Sequence, residues 1–208
     1  MATGQKSEFQ YDLTGGQLAL DFANTISRRE DPERRKDHLE SCVDLVAFAR
    51  QTHVVSAKQA QELRAHVLSH PFEARHTFSK AVTLREAIYR AFSAIAQGEK
   101  ADANDLQTIS EATIEALRHR TLEPVNGGYR WSWTAGSGNP LDQLIWPIAQ
   151  AAADLLTSDE LGIVRFCEAA DCEWLFLDRS RNRTRRWCDM TTCGNRAKAR
   201  RHYQRAHE

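Results

Sequence analysis

Apolar residues recur at helical spacing through most of the first 157 positions. Residues 56–70 open on Ser56, a favourable N-cap, and place Ala60, Leu63 and Val67 on one face, which predicts a helix. The longest periodic run, from Phe72 to Gln97, carries Phe78, Val82, Leu84, Ile88, Phe92 and Ile95 along one side and stops at Gly98. Shorter helices are expected from Leu39 to Gln51, with Cys42, Leu45, Val46 and Ala49 inward, and from a cap at Asp102 or Asn104 to about His119. Residues 16–27 follow the Gly15-Gly16 break with Leu18, Leu20, Phe22, Ala23 and Ile26, a spacing that favours helix over strand; residues 28–38 read as a charged loop around Pro32.

The pattern changes at Pro124. Residues 124–139 hold four glycines, and Tyr129–Trp133 alternates aromatic and polar residues as a strand does. A helix resumes near Pro140 and runs to about Leu156, with Pro147 set to end, kink or restart it. Residues 157–159 mark a boundary, so the chain divides into a helical part, 1–158, and a small C-terminal part, 159–208. The fold class is therefore mostly α with a small β element.

The C-terminal part differs in chemistry as well as pattern. Four of the five cysteines, Cys167, Cys172, Cys188 and Cys193, fall there as two C-x4-C pairs separated by fifteen residues. Two close thiol pairs are what one tetrahedral zinc ion requires, and four thiolates leave no open coordination position, so the expected zinc is single and structural. Trp174–Leu177 reads as a strand, Ser180–Arg183 as a turn and Thr184–Trp187 as the returning strand, which sets the first cysteine pair before a hairpin and the second after it. Residues after Cys193 read as a helix with Ala199, Tyr203 and Ala206 on one face. Knuckle, hairpin, knuckle and helix together describe a treble-clef-like finger.

Net charge is zero, but residues 179–208 hold ten Arg or Lys against two acids, leaving 18 basic and 26 acidic residues in 1–178. A compact basic segment held by metal suits a polyanion. Nine of the ten are arginine, which suits both phosphate and guanine contacts. The expected DNA-contacting residues are Arg181, Arg183, Arg185 and Arg186 of the hairpin, with Arg196, Lys198, Arg200, Arg201 and Arg205 of the helix. Two readings stand for Asn195 and Arg196: contact with DNA, or capping the helix and bracing the knuckle.

No apolar run approaches the roughly 20 residues of a membrane span, and the opening residues 1–10 carry no apolar signal segment, so a cytoplasmic protein with no membrane partner is expected. No phosphate loop, G-x-S-x-G elbow or H-E-x-x-H occurs, and no catalytic set is assigned: the chain does not read as an enzyme. Cys42 reads as core, and His66, His70, His76 and His119 as scattered.

Cys193-Gly194-Asn195-Arg196, preceded by Trp187-Cys188, is the CGNR signature, and the whole chain resembles the bacterial CGNR zinc-finger proteins with an N-terminal ABATE domain, described as stress-induced transcription regulators. Gly16, Leu18, Leu20-Asp21-Phe22 and Asn24-Thr25 look like the opening motif of that domain. The resemblance implies zinc and a role on DNA. Asp21 and Asn24 then have two readings, a polar pair lining a small-molecule effector pocket or a structural hydrogen-bonding pair. The leading expectation is a DNA-binding transcriptional regulator whose N-terminal part senses an effector or forms a homodimer. The alternatives are an RNA-binding or protein-interaction module, or an enzyme with its site in the helical part.

Overall fold

The computed structural model describes residues 9–206 apart from 135 and 137; the polar first residues and His207 lie outside them. Helix α1 (Leu18–Ala23) is followed by a two-residue antiparallel pair, β1 (Ile26–Ser27) and β2 (Lys36–Asp37). Then come α2 (Cys42–Gln51), α3 (Ala57–Ser69), α4 (Pro71–Ala96) and α5 (Ala103–Arg118). A hairpin of β3 (Arg120–Val125) and β4 (Gly128–Trp133) leads to a 3-10 turn at Pro140–Leu144 and to α6 (Trp146–Leu156). The C-terminal part holds β5 (Val164–Phe166), β6 (Leu175–Leu177), a π-helical turn (Met190–Gly194) and α7 (Asn195–Ala206).

Local signals set most of the helix ends. The Ser56 hydroxyl accepts from the Gln59 amide while the Gln59 side chain accepts from the Ser56 amide, a closed capping box. Asp102 caps α5, and Ser41 caps α2. Pro71 starts α4, where its missing N–H costs nothing, and Pro147 sits in the first turn of α6, just after Trp146, so of the three outcomes open to it the helix restarts there.

The long helix α4 is the centre of the molecule. Its Leu84, Ala87, Ile88, Ala91 and Phe92 are buried among Leu20 and Phe22 of α1, Leu45 and Phe48 of α2, and Ile148, Ala149 and Ala152 of α6. The same core takes in Val164, Leu175 and Leu177, so β5 and β6 pack on the helical part, while a second, smaller cluster forms around Phe176 and the four cysteines.

Two expectations need correction. Residues 16–27 are helical only over Leu18–Ala23. Asn24 and Thr25 cap the helix through backbone bonds to Leu20 and Phe22, and the chain then turns extended to pair with β2. No strand forms at 184–187. The partner of β6 is β5, which precedes the first cysteine pair, so the hairpin encloses that pair instead of following it. The Cys167 amide extends the ladder by donating to the Trp174 carbonyl at 2.8 Å. Residues 184–187 stay irregular because their groups serve other partners: the Arg185 amide donates to Asp178 and the Arg186 carbonyl accepts from Glu168.

Candidate metal centre and nucleic-acid interface

The four C-terminal cysteines converge although each comes from a different local structure. Cys167 follows β5 and Cys172 closes a turn, donating its amide to Ala169. Cys188 ends the irregular segment, and Cys193 sits in the π-helical turn. All four are buried and free, and their sulfurs lie within 4.8 Å of one another. Cys172 Sγ and Cys193 Sγ each stand 3.6 Å from Cys188 Sγ. Sulfurs at about 2.3 Å from one tetrahedral ion would be spaced by roughly 3.8 Å. The spacing fits a zinc tetrahedron and is far too long for disulfides. Crowding splits the thiols: bonds from its neighbours, Cys172 first, lower Cys167 to about 7, and Cys193 is lowered in the same way, while Cys172 and Cys188 are raised. A divalent cation removes that conflict, because a coordinating thiol is deprotonated.

Around this centre the basic residues divide into two groups. Arg185 is used inside the module: its guanidinium donates to the carbonyls of Trp187 and Cys188 and lies 4.7 Å over the Phe176 ring. Arg186 pairs with Glu168 and covers Trp187. Arg196 Nη2 donates to Cys193 Sγ at 3.1 Å and Nη1 reaches Asp171 at 3.3 Å. Burial works against its charge, yet Cys193 and Asp171 outweigh that and hold the guanidinium above its ordinary value. It offsets part of the excess thiolate charge. Asn195 donates its side-chain amide to the Thr191 carbonyl, which pins the start of α7 to the preceding turn. The second group is Arg181, Arg183, Lys198, Arg200, Arg201 and Arg205. All are exposed, and none makes an ion pair among the described residues.

Helix α7 itself carries no buried residue over 195–205, and within the described residues it leans chiefly on the π-helical turn. Its Arg196, Ala197, Arg200 and Gln204 form one wall of a cavity of about 410 Å³ whose other wall is residues 168–171 with Trp187. The turn 180–183 is kept in shape by Asp178, which is shielded from solvent and accepts from the Ser180 amide and hydroxyl and from the Arg185 amide. Burial alone would raise this carboxyl, but the three bonds hold it below the usual carboxylate range.

The residues of the N-terminal motif meet the finger from behind. Gly15 donates its amide to Asp21 Oδ1 at 2.8 Å and offers its carbonyl to the Leu177 amide at 2.9 Å. A side chain at Gly15 would stand 2.9 Å from both Asp21 Oδ1 and Leu20 Cβ, so the approach requires glycine. Asn24 is buried and engages both backbone groups of Leu175. Desolvation raises the Asp21 carboxyl to about 6 against the lowering effect of the Gly15 amide. Between the β1–β2 loop and the finger opens a cleft of about 570 Å³, with Arg28, Arg34 and Lys36 on one wall and Asn195 and Arg196 on the other.

Residues 16–159 match the family model described as "ABATE: Putative stress-induced transcription regulator". The chain belongs to the ABATE family. Residues 164–206 of this ABATE protein match the CGNR zinc finger model, which coincides with the four-cysteine centre and helix α7. The protein therefore holds one structural zinc at Cys167, Cys172, Cys188 and Cys193. No curated protein matches the sequence significantly. No helix among the described residues is long and apolar enough to cross a membrane.

Proposed function

We propose that this ABATE protein is a zinc-dependent transcriptional regulator that binds duplex DNA through its C-terminal part, residues 159–208, in the cytoplasm. The observation that carries the reading is α7: a helix tethered at the metal centre, without a buried face, presenting Lys198, Arg200, Arg201 and Arg205 to solvent. A helix of about 10–12 Å diameter matches a major groove of about 12 Å. The turn residues Arg181 and Arg183 are suited to phosphates, which position a protein on DNA without reading sequence. Arg185, Arg186 and Arg196 belong to the same basic face, and their part is to stiffen it.

The N-terminal part, residues 1–158, acts as the sensor or dimerisation element. An effector would exert control from the 570 Å³ cleft, because Arg196 lines it and also touches the zinc ligand Cys193. With a regulator family and a zinc finger as its two matches, the chain is read as a non-enzyme. The test is to incubate the zinc-loaded protein with genomic DNA fragments and sequence the bound pool. Enrichment of a short common site supports the reading. Retention of structured RNA in preference to any duplex would replace it with an RNA-binding role.

A further inference from the structure

A second constellation of metal-ligand side chains lies far along the chain from the cysteines. It sits at the corner between α3 and α4. His66 is in the last turn of α3, His70 caps that helix, and Glu73 is in the first turn of α4. One donor atom from each of the three lies within 4.8 Å of the other two. Donors at about 2.1 Å around one tetrahedral ion stand roughly 3.4 Å apart, so side-chain rotations draw the set inward around the ion.

We infer that His66, His70 and Glu73 form a second, exchangeable site for a divalent transition-metal ion. Three features carry this. First, the backbone fixes the donors. His70 donates its amide to the His66 carbonyl, Pro71 follows at once, and the corner therefore has little freedom. Second, His70 is oriented as metal-binding imidazoles are. Its Nδ1 lies 2.8 Å from Ser69 Oγ and 3.3 Å from the His66 carbonyl oxygen. The serine hydroxyl can direct its own proton at the carbonyls of Ala65 or His66, and in that arrangement Nδ1 carries the hydrogen and Nε2 keeps the lone pair. Third, His66 Nε2 already lies 2.8 Å from Glu73 Oε2, and its ring stacks on that of His70 with centroids 3.9 Å apart. Parallel rings direct their lone pairs side by side, so the exposed His70 ring turns out of the stack for both imidazoles to reach one ion beside the carboxylate.

The donor set of two imidazoles and a carboxylate suits zinc, nickel or copper better than calcium or magnesium. Three protein ligands leave coordination positions for water, unlike the closed cysteine centre. His66 and Glu73 are half-buried and His70 is exposed, so metal can come and go without unfolding.

The test titrates Ni²⁺ into the full-length protein already carrying one zinc, by calorimetry, while a chromogenic chelator follows released zinc. One nickel per chain should bind without zinc release. The His66→Ala/His70→Ala double variant should bind it at least about tenfold more weakly, and Glu73→Gln should weaken it to a smaller degree. His76→Ala, an exposed histidine outside the cluster, should bind as the parent does. Should the double variant lose its melting transition, Glu73→Gln carries the comparison. Equal nickel affinity in parent, double variant and Glu73→Gln, or nickel uptake matched by zinc release, overturns the site.

Discussion

Asn24 and Leu175, 151 positions apart, exchange two hydrogen bonds: Asn24 Nδ2 donates to the Leu175 carbonyl at 2.8 Å, and the Leu175 amide donates to Asn24 Oδ1 at 2.9 Å. The side-chain amide thus completes the strand that precedes half of the finger. Asn24→Ala leaves both buried backbone groups unpaired, at about 1–3 kcal/mol each. Urea denaturation should show a loss of that order, and the variant should release zinc to a chelator faster than the parent. Unchanged stability would mean the strand finds other partners.

Arg85 is the largest fully buried side chain among the described residues. It meets both carboxylate oxygens of Asp37 at 2.7 Å, with Thr25 Oγ1 and Glu86 satisfying further donors. Removing one member of a buried pair costs about 3–5 kcal/mol; Asp37 is 32% exposed, so Arg85→Ala should destabilise the fold towards the lower end of that range. Arg85→Lys keeps the charge and loses the planar fork, and should recover only part of the loss. Denaturation midpoints of the two variants check the order.

The Asp21 carboxyl supplies a pH dependence of definite sign. Its folded value, about 6, lies above the unfolded 3.8. Its contribution to stability is therefore complete below pH 3.8 and disappears as pH rises through about 6, a change of at most about 3 kcal/mol. Asp21→Asn, which keeps an acceptor for the Gly15 amide, should be more stable than the parent at pH 7.5 and lose that advantage near pH 4. Melting curves over this range decide it, and a difference independent of pH would contradict the burial argument.

Helix positions, the Ser56 cap and the convergence of the cysteines were legible in the sequence because each rests on short-range spacing. The partner of β6 was not. Residues 164–166 are three residues long and precede the cysteines without an alternating signal, whereas 184–187 resembled a strand by position. Arg85 was invisible for another reason: an arginine on an amphipathic helix ordinarily points outward, and its burial becomes tolerable only through partners from elsewhere in the chain, Asp37 of β2 and Thr25, together with Glu86. His66 and His70 stand four residues apart, a spacing that sequence shows, but their carboxylate partner Glu73 lies across a helix corner and was not legible. Among the arginines, sequence could not separate those that brace the finger, such as Arg185, from those left to solvent, such as Arg200.

Metal loss should have a bounded effect. Cys188→Ser should abolish zinc binding and release the segment that follows. Leu175 and Leu177 belong to the main core, so β5 and β6 should remain. Hydrogen exchange should show the Leu175 and Leu177 amides still protected while those of residues 188–206 exchange freely. Global loss of protection would show that the ion supports the whole chain.

If zinc holds an arginine-bearing helix ready for duplex DNA, binding should depend steeply on salt. Fluorescence anisotropy with one zinc-loaded sample should give an affinity that falls steeply with salt, the slope of log K against log salt being about −0.9 per neutralised phosphate. The Arg200→Ala/Arg201→Ala variant should keep its zinc and fold and lose about 1–2 phosphate equivalents from that slope. An unchanged slope and affinity in this variant, or no duplex binding at low salt by fully zinc-loaded protein, would contradict the account.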